Sequence, residues 1–190
     1  DWSGASCLLV AGATAGEVAV ENMNTLSLQA DVAVINALSR AGAEVISTPE
    51  SVTVHRRELT AFEFDATDCP DLFPALVALA SACDGVSEIR GTRRLIHKES
   101  NRAETLAVEF ARLGIRVDIS EENVMRVEGG PVSGAVVGSH NDHRIAMALA
   151  TAGLRADGKV TVLGAEAVDK SYPDFWVDLE ALMEKGATNG

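Results

Sequence analysis

The amino-acid sequence predicts an α/β fold of about three repeated β-α-β-α-β-β units, with buried helices inside a shell of strands and outer helices. Repetition is the first reason, because one series of glycines recurs at separations of 69 and 73 residues, at Gly16, Gly85 and Gly158. A second, interleaved series recurs at separations of 72 residues, at Gly42, Gly114 and Gly186. Composition is the second reason: 47% of the 190 residues are hydrophobic but only 4% are aromatic, which predicts a substantial aliphatic core.

Each unit shows the same order of elements. An Ala-rich helix comes first and ends near a glycine of the first series, over residues 3–15, 71–83 and 142–155. These helices lack a polar face, so we expect them to be buried on most sides. Short strands follow at 17–22, 86–90 and 160–163, and then more amphipathic helices at 28–41, 101–113 and 173–185. Hairpins are predicted at 44–47 with 52–56 and at 116–119 with 124–127, and leading strands at 62–65 and 135–138.

The overall charge limits the class of partner. The formal net charge is -12, which argues against nucleic acid and anionic membranes, since both require a basic protein surface. No apolar run reaches the length of a transmembrane helix, and no secretory signal is visible. Three cysteines without C-x-x-C spacing indicate reduced thiols and a cytoplasmic protein. Cys69, close to Asp71, is more simply a packing residue than a reactive thiol.

Basic side chains gather at predicted helix starts, where the helix dipole disfavours a positive charge. They are Lys98, Arg102, Arg144 and Lys170. One case alone is explained by an arginine pointing into water. Lys98 and Arg102 belong to the same helix start, so the four residues mark three helix starts. Three such starts at comparable edges of a repeat predict a bound anion, held by exposed backbone N–H groups and neighbouring cations. The expected ligand carries several negative groups.

Acidic and histidine side chains adjoin the same motifs. Carboxylates at Asp71, Glu99 and Asp142 could orient groups or transfer protons, although helix capping is the simpler interpretation of Asp71. His140 and His143 form an H-x-x-H pair, but no third ligand follows from the sequence, so we expect no metal site. Glycine motifs for nucleotides and a G-x-S-x-G nucleophile turn are absent from the sequence.

Four motifs then occur in a fixed order: PD at 70–71, HKESNR at 97–102, NDHRIAMA at 141–148 and KSYPDF at 170–175. With DWSGASCLLVAGA at 1–13 and SLQAD at 27–31, they resemble the 5-enolpyruvylshikimate-3-phosphate synthase family over essentially the whole chain. The family's fold has two similar lobes of three units each, and its chain is about twice as long as this one. The resemblance therefore implies that residues 1–190 are a single C-terminal lobe, and that the other lobe of the same chain is missing here.

The resemblance also implies a reaction. Phosphoenolpyruvate would give its enolpyruvyl group to the 5-hydroxyl of shikimate 3-phosphate and release phosphate, by addition and then elimination, with no metal or organic cofactor. Arg102, Arg144 and Lys170 would hold the phosphate and carboxylate of phosphoenolpyruvate. Lys98 and Asp71 would contact shikimate 3-phosphate.

The same resemblance implies three catalytic roles. Asp71 would act as the base at the 5-hydroxyl, Glu99 would take part in proton transfer at the methylene carbon, and His143 would support the site. Two positions depart from the family's usual pattern. Asn101 replaces a usual Asp, which removes a charge but keeps the size, and Ile96 replaces a frequent Arg, which leaves open any substrate role of Arg94.

Two other functions compete with this interpretation. UDP-N-acetylglucosamine enolpyruvyl transferase shares the fold and the donor, but the DHR and KSYPDF motifs favour the shikimate enzyme. A non-catalytic anion-binding repeat domain is the alternative from another class. We expect the full-length enzyme to be monomeric, and residues 1–190 alone to show no meaningful turnover.

Overall fold

Three successive α/β units make up the computed structural model, which describes residues 1–96, 98 and 101–188. The first unit contains, in chain order, α1 (Trp2–Ala15), β1 (Glu17–Glu21), α2 (Val34–Arg40), β2 (Glu44–Ser47) and β3 (Ser51–His55). The second contains β4 (Glu63–Asp65), α3 (Phe73–Ala80), β5 (Val86–Arg90), α4 (Arg102–Arg112), β6 (Arg116–Asp118) and β7 (Val124–Glu128). The third contains β8 (Val136–Gly138), α5 (His143–Gly153), β9 (Thr161–Leu163) and α6 (Phe175–Thr188). The predicted α/β class and unit order are confirmed.

The strands form one sheet for each unit. The complete middle unit gives the order β4-β5-β7-β6, in which β4 and β5 are parallel and the other pairs are antiparallel. The first unit gives the antiparallel order β1-β3-β2, and the third gives the parallel pair β8-β9. Within the described residues, the first sheet therefore has no counterpart of β4, and the third has no counterpart of the β6-β7 hairpin.

Three helices, α1, α3 and α5, pack against one another in the interior. All residues of α3 are buried, and all residues of α1 are buried except Gly4, which is half-buried, and Ala15, which is exposed. Their Ala-rich sequences allow this, because small side chains let neighbouring helices approach on several faces. The predicted inner layer of helices is confirmed, and their starts are brought to one region of the lobe.

The outer helices α2 and α4 end at glycines whose backbone is left-handed. Gly42 follows α2 with a φ of 92°, and Gly114 follows α4 with a φ of 84°. Residues with a Cβ rarely adopt these angles, so glycine suits the chain reversal into β2 and β6. The second glycine series of the sequence thus marks helix ends, as predicted for these two positions.

Several helix starts differ from the predictions. A 3₁₀ turn, Pro70–Leu72, precedes α3 in the segment that was predicted as one helix over 71–83. Likewise, a 3₁₀ turn, Ala30–Ala33, precedes α2 in the segment that was predicted as one helix over 28–41. The predicted start at Pro173 is wrong, because α6 begins at Phe175. Lys170 instead ends a 3₁₀ turn, Ala165–Lys170.

The described residues include no helix with the length and apolar character needed to cross a membrane. Cys7, Cys69 and Cys83 are buried and unpaired. Burial, together with smaller contributions from negative charges such as Asp31, raises the pKa of Cys69 to about 11. The thiol of Cys69 is therefore protonated at neutral pH, and the interpretation as a packing residue is confirmed.

Candidate active site

Asp71 lies at the centre of a cluster of basic side chains. The 3₁₀ turn that opens with Pro70 carries it to the start of α3, and its side chain is one-third exposed. One carboxylate oxygen, Oδ1, is 3.0 Å from Nζ of Lys98 and 2.7 Å from Nη1 of Arg102. The other, Oδ2, is 3.4 Å from Nη2 of Arg144. Neither the turn nor α3 has a side-chain cap, so the capping interpretation of Asp71 is wrong.

Asp142 is a second carboxylate of the cluster, and it is fully buried. Its Oδ1 atom accepts the backbone N–H of Arg144 at 3.0 Å and so caps α5. Its Oδ2 atom accepts a hydrogen bond from Nε of Arg102 at 2.7 Å. Asp142 therefore places a negative charge at the start of α5 and also neutralises a buried guanidinium, which offsets the cost of cations at these helix ends.

Arg102 is the first residue of α4 and has no exposed surface. It joins α4 to both other helix starts, because its guanidinium contacts Asp71 and Asp142 together. Because Arg102 is buried, a substrate can contact it directly only after neighbouring groups move. Arg144 is more accessible, with its side chain 14% exposed.

Lys170 lies beside the same helix start. Its Nζ atom donates to the carbonyl oxygen of Asn141 at 2.7 Å and to Oδ1 of Asn141 at 2.8 Å, and Asn141 directly precedes Asp142. Through Asn141 and Asp142, the structure brings Lys170 and Arg102 to the helix start that carries Arg144. The dipole argument does not apply to Lys170, which ends a 3₁₀ turn.

Of the two remaining predicted residues, the structure describes one. His143 is the first residue of α5 and is buried, next to Asp142 and Arg144 in sequence. Glu99 lies outside the described residues, as does His97. The described part of the chain contains no group of three His, Cys, Asp or Glu side chains arranged to hold a metal ion.

For two members of the cluster, sequence reasoning missed the role that the side chain plays. Asp142 was expected near the site, but its role as the buried counter-ion of Arg102 follows only from the folded structure. Asn141 was a candidate helix cap, but Asp142 is the cap, and the contact of Asn141 with Lys170 was not predicted. Its signal was present, because Asn tolerates the left-handed backbone that precedes a helix start, and φ at Asn141 is 60°.

The electrostatics of the cluster are reflected in the pKa of Asp71. Partial burial raises this pKa. Lys98, Arg144 and Arg102 together have a larger, opposite effect, so the pKa is lowered from its ordinary value of 3.8 to about 2. Ionised Asp71 therefore stabilises the fold above pH 3.8, and this contribution is lost as the pH falls through about 2. In this arrangement Asp71 is a strong counter-ion but a weak proton acceptor.

We expect inorganic phosphate to raise the pKa of Asp71. A phosphate bound to Lys98 and Arg144 takes over their charge and adds a negative charge nearby, and both effects favour the protonated carboxyl. Carboxyl ¹³C chemical shifts recorded against pH, with and without phosphate, measure this. Asp118 is the internal control, because its pKa is lowered first by the Ser120 N–H rather than by cations. An unchanged Asp71 midpoint while ³¹P shifts report bound phosphate would contradict the expectation.

Fold and site together define a class of protein. The repeated α/β units form one lobe of the enolpyruvyl transferase fold. The chain belongs to the EPSP synthase (3-phosphoshikimate 1-carboxyvinyltransferase) family, whose sequence model matches residues 1–179.

Named relatives agree with this family. The chain is 42% identical over 184 residues to a 3-phosphoshikimate 1-carboxyvinyltransferase of Thermococcus kodakarensis, covering 97% of this chain and 46% of the relative. It is 42% identical over 185 residues to the enzyme of the same name from Dehalococcoides mccartyi, covering 97% of this chain and 44% of the relative. The chain thus spans less than half the length of the relatives it matches.

A solved structure supports the fold. The EPSP synthase of Acinetobacter baumannii superposes with a TM-score of 0.76 at 29% sequence identity. The match covers 91% of this chain and 43% of that structure's chain. The described fold therefore corresponds to one lobe of that enzyme.

Proposed function

We propose that this chain is the C-terminal lobe of an enzyme that transfers the enolpyruvyl group of phosphoenolpyruvate to the 5-hydroxyl of shikimate 3-phosphate. The rest of the enzyme supplies the other lobe, and the two lobes close on the substrates. The reaction releases inorganic phosphate and uses neither a metal nor an organic cofactor. The full-length enzyme acts as a monomer in the cytoplasm, in line with the three unpaired cysteines.

One observation carries this proposal: Asp71 is contacted by Lys98, Arg102 and Arg144, so three separate stretches of the chain, around residues 71, 98–102 and 144, meet at one point. With Lys170, the cations of the cluster outnumber the two carboxylates described there. Two anionic substrates repel each other, so a site that joins them needs fixed positive charge. A structural ion pair alone would need fewer cations.

The residues divide between the two substrates. Arg144 and Lys170 bind the phosphate and carboxylate of phosphoenolpyruvate. Arg102 assists them from its buried position by orienting Asp71 and Asp142, and it contacts phosphoenolpyruvate when Asp71 leaves it. Lys98 and Asp71 contact shikimate 3-phosphate.

Both the addition step and the elimination step of the reaction require proton transfer. In the addition step, Asp71 accepts the proton of the 5-hydroxyl, whose oxygen bonds to C2 of phosphoenolpyruvate, while Glu99 takes part in protonating the methylene carbon. In the elimination step, Glu99 takes part in removing a proton from that carbon, the C–C double bond forms again, and phosphate leaves with the electron pair of the broken C–O bond. His143 supports the site beside Arg144. Lobe closure would exclude water and strengthen these charged contacts.

The test is a chimaera in which the aligned segment of the Dehalococcoides mccartyi relative is replaced by this chain. We expect it to release phosphate from phosphoenolpyruvate when shikimate 3-phosphate is added, whereas the relative lacking that segment does not. Residues 1–190 alone should bind phosphate weakly and show no meaningful turnover. A cooperative thermal transition verifies that the chimaera is folded.

The other two functions give different results in the same assay. A folded chimaera active only with UDP-N-acetylglucosamine would favour the sugar-nucleotide enzyme. A folded chimaera that binds phosphate but turns over neither acceptor would favour a non-catalytic anion-binding domain. Either result would overturn the proposal.

A further inference from the structure

A buried carboxylate that the proposed reaction does not use holds the turn between β8 and α5. Glu109 lies on α4, and its side chain is only 3% exposed. Its Oε2 atom accepts the backbone N–H of Gly138 at 2.8 Å, and its Oε1 atom is 2.8 Å from Nε2 of His140. Nε of Arg112 adds a longer contact at 3.4 Å. These donors compensate the burial of the charge, and they fix Glu109 against the turn.

The turn itself has an unusual backbone. His140 and Asn141 both have positive φ, at 52° and 60°. Residues with a side chain rarely adopt this conformation, and two in succession persist only where the surroundings hold them. Ser139 provides part of that support, since its carbonyl accepts the N–H of Asp142 at 3.0 Å and its Oγ accepts the N–H of Asn141 at 3.2 Å. The contact between His140 and Glu109 holds the turn from the other side chain of the pair.

This conformation presents two oxygens to Lys170. The carbonyl and Oδ1 of Asn141 both accept hydrogen bonds from its Nζ atom, at 2.7 and 2.8 Å. An ammonium group has three N–H donors, so two are oriented by Asn141 and the third remains for an anion. The direction in which Lys170 can donate is therefore set by the shape of the turn.

We propose that His140 is a positioning residue of the anion site, which acts through Lys170. Its contact with Glu109 holds residues 139–141 in the left-handed turn, and the turn orients the Lys170 ammonium. This inference rests on the proposed function, because it assumes that Lys170 binds an anionic group of the substrate.

A double-mutant cycle on the 190-residue chain tests the inference, with inorganic phosphate as the probe. We expect Lys170→Ala to weaken phosphate binding about tenfold or more, and His140→Ala to weaken it about threefold to tenfold. Combined with Lys170→Ala, the His140→Ala change should have no further effect, because the turn then has no ammonium to orient. His140→Gln should restore most of the affinity, since its amide nitrogen can donate to Glu109.

Arg112→Ala is the matched control, because Arg112 contacts Glu109 but not the turn. It should leave phosphate affinity unchanged, and urea unfolding confirms that each variant is folded. Equal losses from His140→Ala with and without Lys170 would overturn the inference, as would a His140→Ala variant with full affinity.

Failure of the anion-binding role proposed for Lys170 would look different, since Lys170→Ala would then leave phosphate binding unchanged. The positioning role can still be read without ligand. The ¹⁵Nζ resonance of Lys170 should show hydrogens protected from solvent exchange in the unmodified chain and unprotected in His140→Ala. Equal exchange in both would overturn the inference independently of phosphate.

Discussion

Replacing Asp142 with alanine should lower the free energy of unfolding of the chain by about 3–5 kcal/mol. The main reason is Arg102, which has no exposed surface and loses a hydrogen-bonded counter-ion. A buried charge that loses its partner bears most of the cost of its desolvation. The start of α5 also loses its cap, which contributes about 1 kcal/mol. Asp71 still contacts Arg102, so we expect a value near the lower end of the range.

Urea denaturation measures this loss of unfolding free energy. Two further variants show how much of it comes from the helix cap and how it compares with the loss of an exposed ion pair. Asp142→Asn removes the charge but keeps an oxygen that can accept the N–H of Arg144, so the difference between Asn and Ala reports the cap. Glu122→Ala breaks an exposed ion pair with Arg93 and should cost at most about 1 kcal/mol. A loss below about 1 kcal/mol for Asp142→Ala would show that the buried charge is already compensated by other groups.

The repeated architecture could be predicted from the sequence because it depends on local features. Ala-rich segments without a polar face predicted buried helices, and α1, α3 and α5 are buried. Glycines at a constant period predicted equivalent helix ends, and Gly42 and Gly114 have the left-handed backbone that suits this role. Such signals require only a few adjacent residues, so no knowledge of distant contacts is needed.

The start of α6 shows where local signals fail. Pro173 suits a first helical position, yet the helix begins two residues later, at Phe175. The N–H groups of Ser171 and Tyr172 both donate to the carbonyl of Val168, so the preceding 3₁₀ turn continues further than the sequence suggests. This competition between a turn and a helix depends on hydrogen bonds that no propensity describes.

The sequence predicted which basic residues belong to the site, but not which carboxylates they pair with. Cations at helix starts indicated an anion, and in this structure the anions beside them are the chain's own carboxylates. Arg102 contacts Asp71 and Asp142, which are 31 and 40 residues away in sequence. No spacing rule relates positions so far apart, so the pairing depends on how the units assemble.

Replacing Asp71 with asparagine in the chimaera should lower kcat about 10²–10⁴-fold, the usual contribution of a general base. Asparagine keeps the size of the side chain and an oxygen that can accept hydrogen bonds from Lys98 and Arg102. It cannot accept the proton of the substrate hydroxyl, so the chemical step suffers more than substrate binding. Initial rates of phosphate release, measured over a range of both substrates, separate kcat from KM.

The low pKa of Asp71 adds a condition, because the carboxylate can act as a base only after its pKa has risen. A carboxylate with a pKa of about 2 is a poor base, so substrate anions must first take over the charges of Lys98 and Arg144. Asp65→Asn is the control: Asp65 also has a lowered pKa, but a hydrogen bond from Thr67 is the main cause, so kcat should be unchanged. An Asp71→Asn chimaera that retains kcat within about threefold would exclude Asp71 as the base. Asp71 would then remain only as the counter-ion that holds three cations together until the substrates arrive.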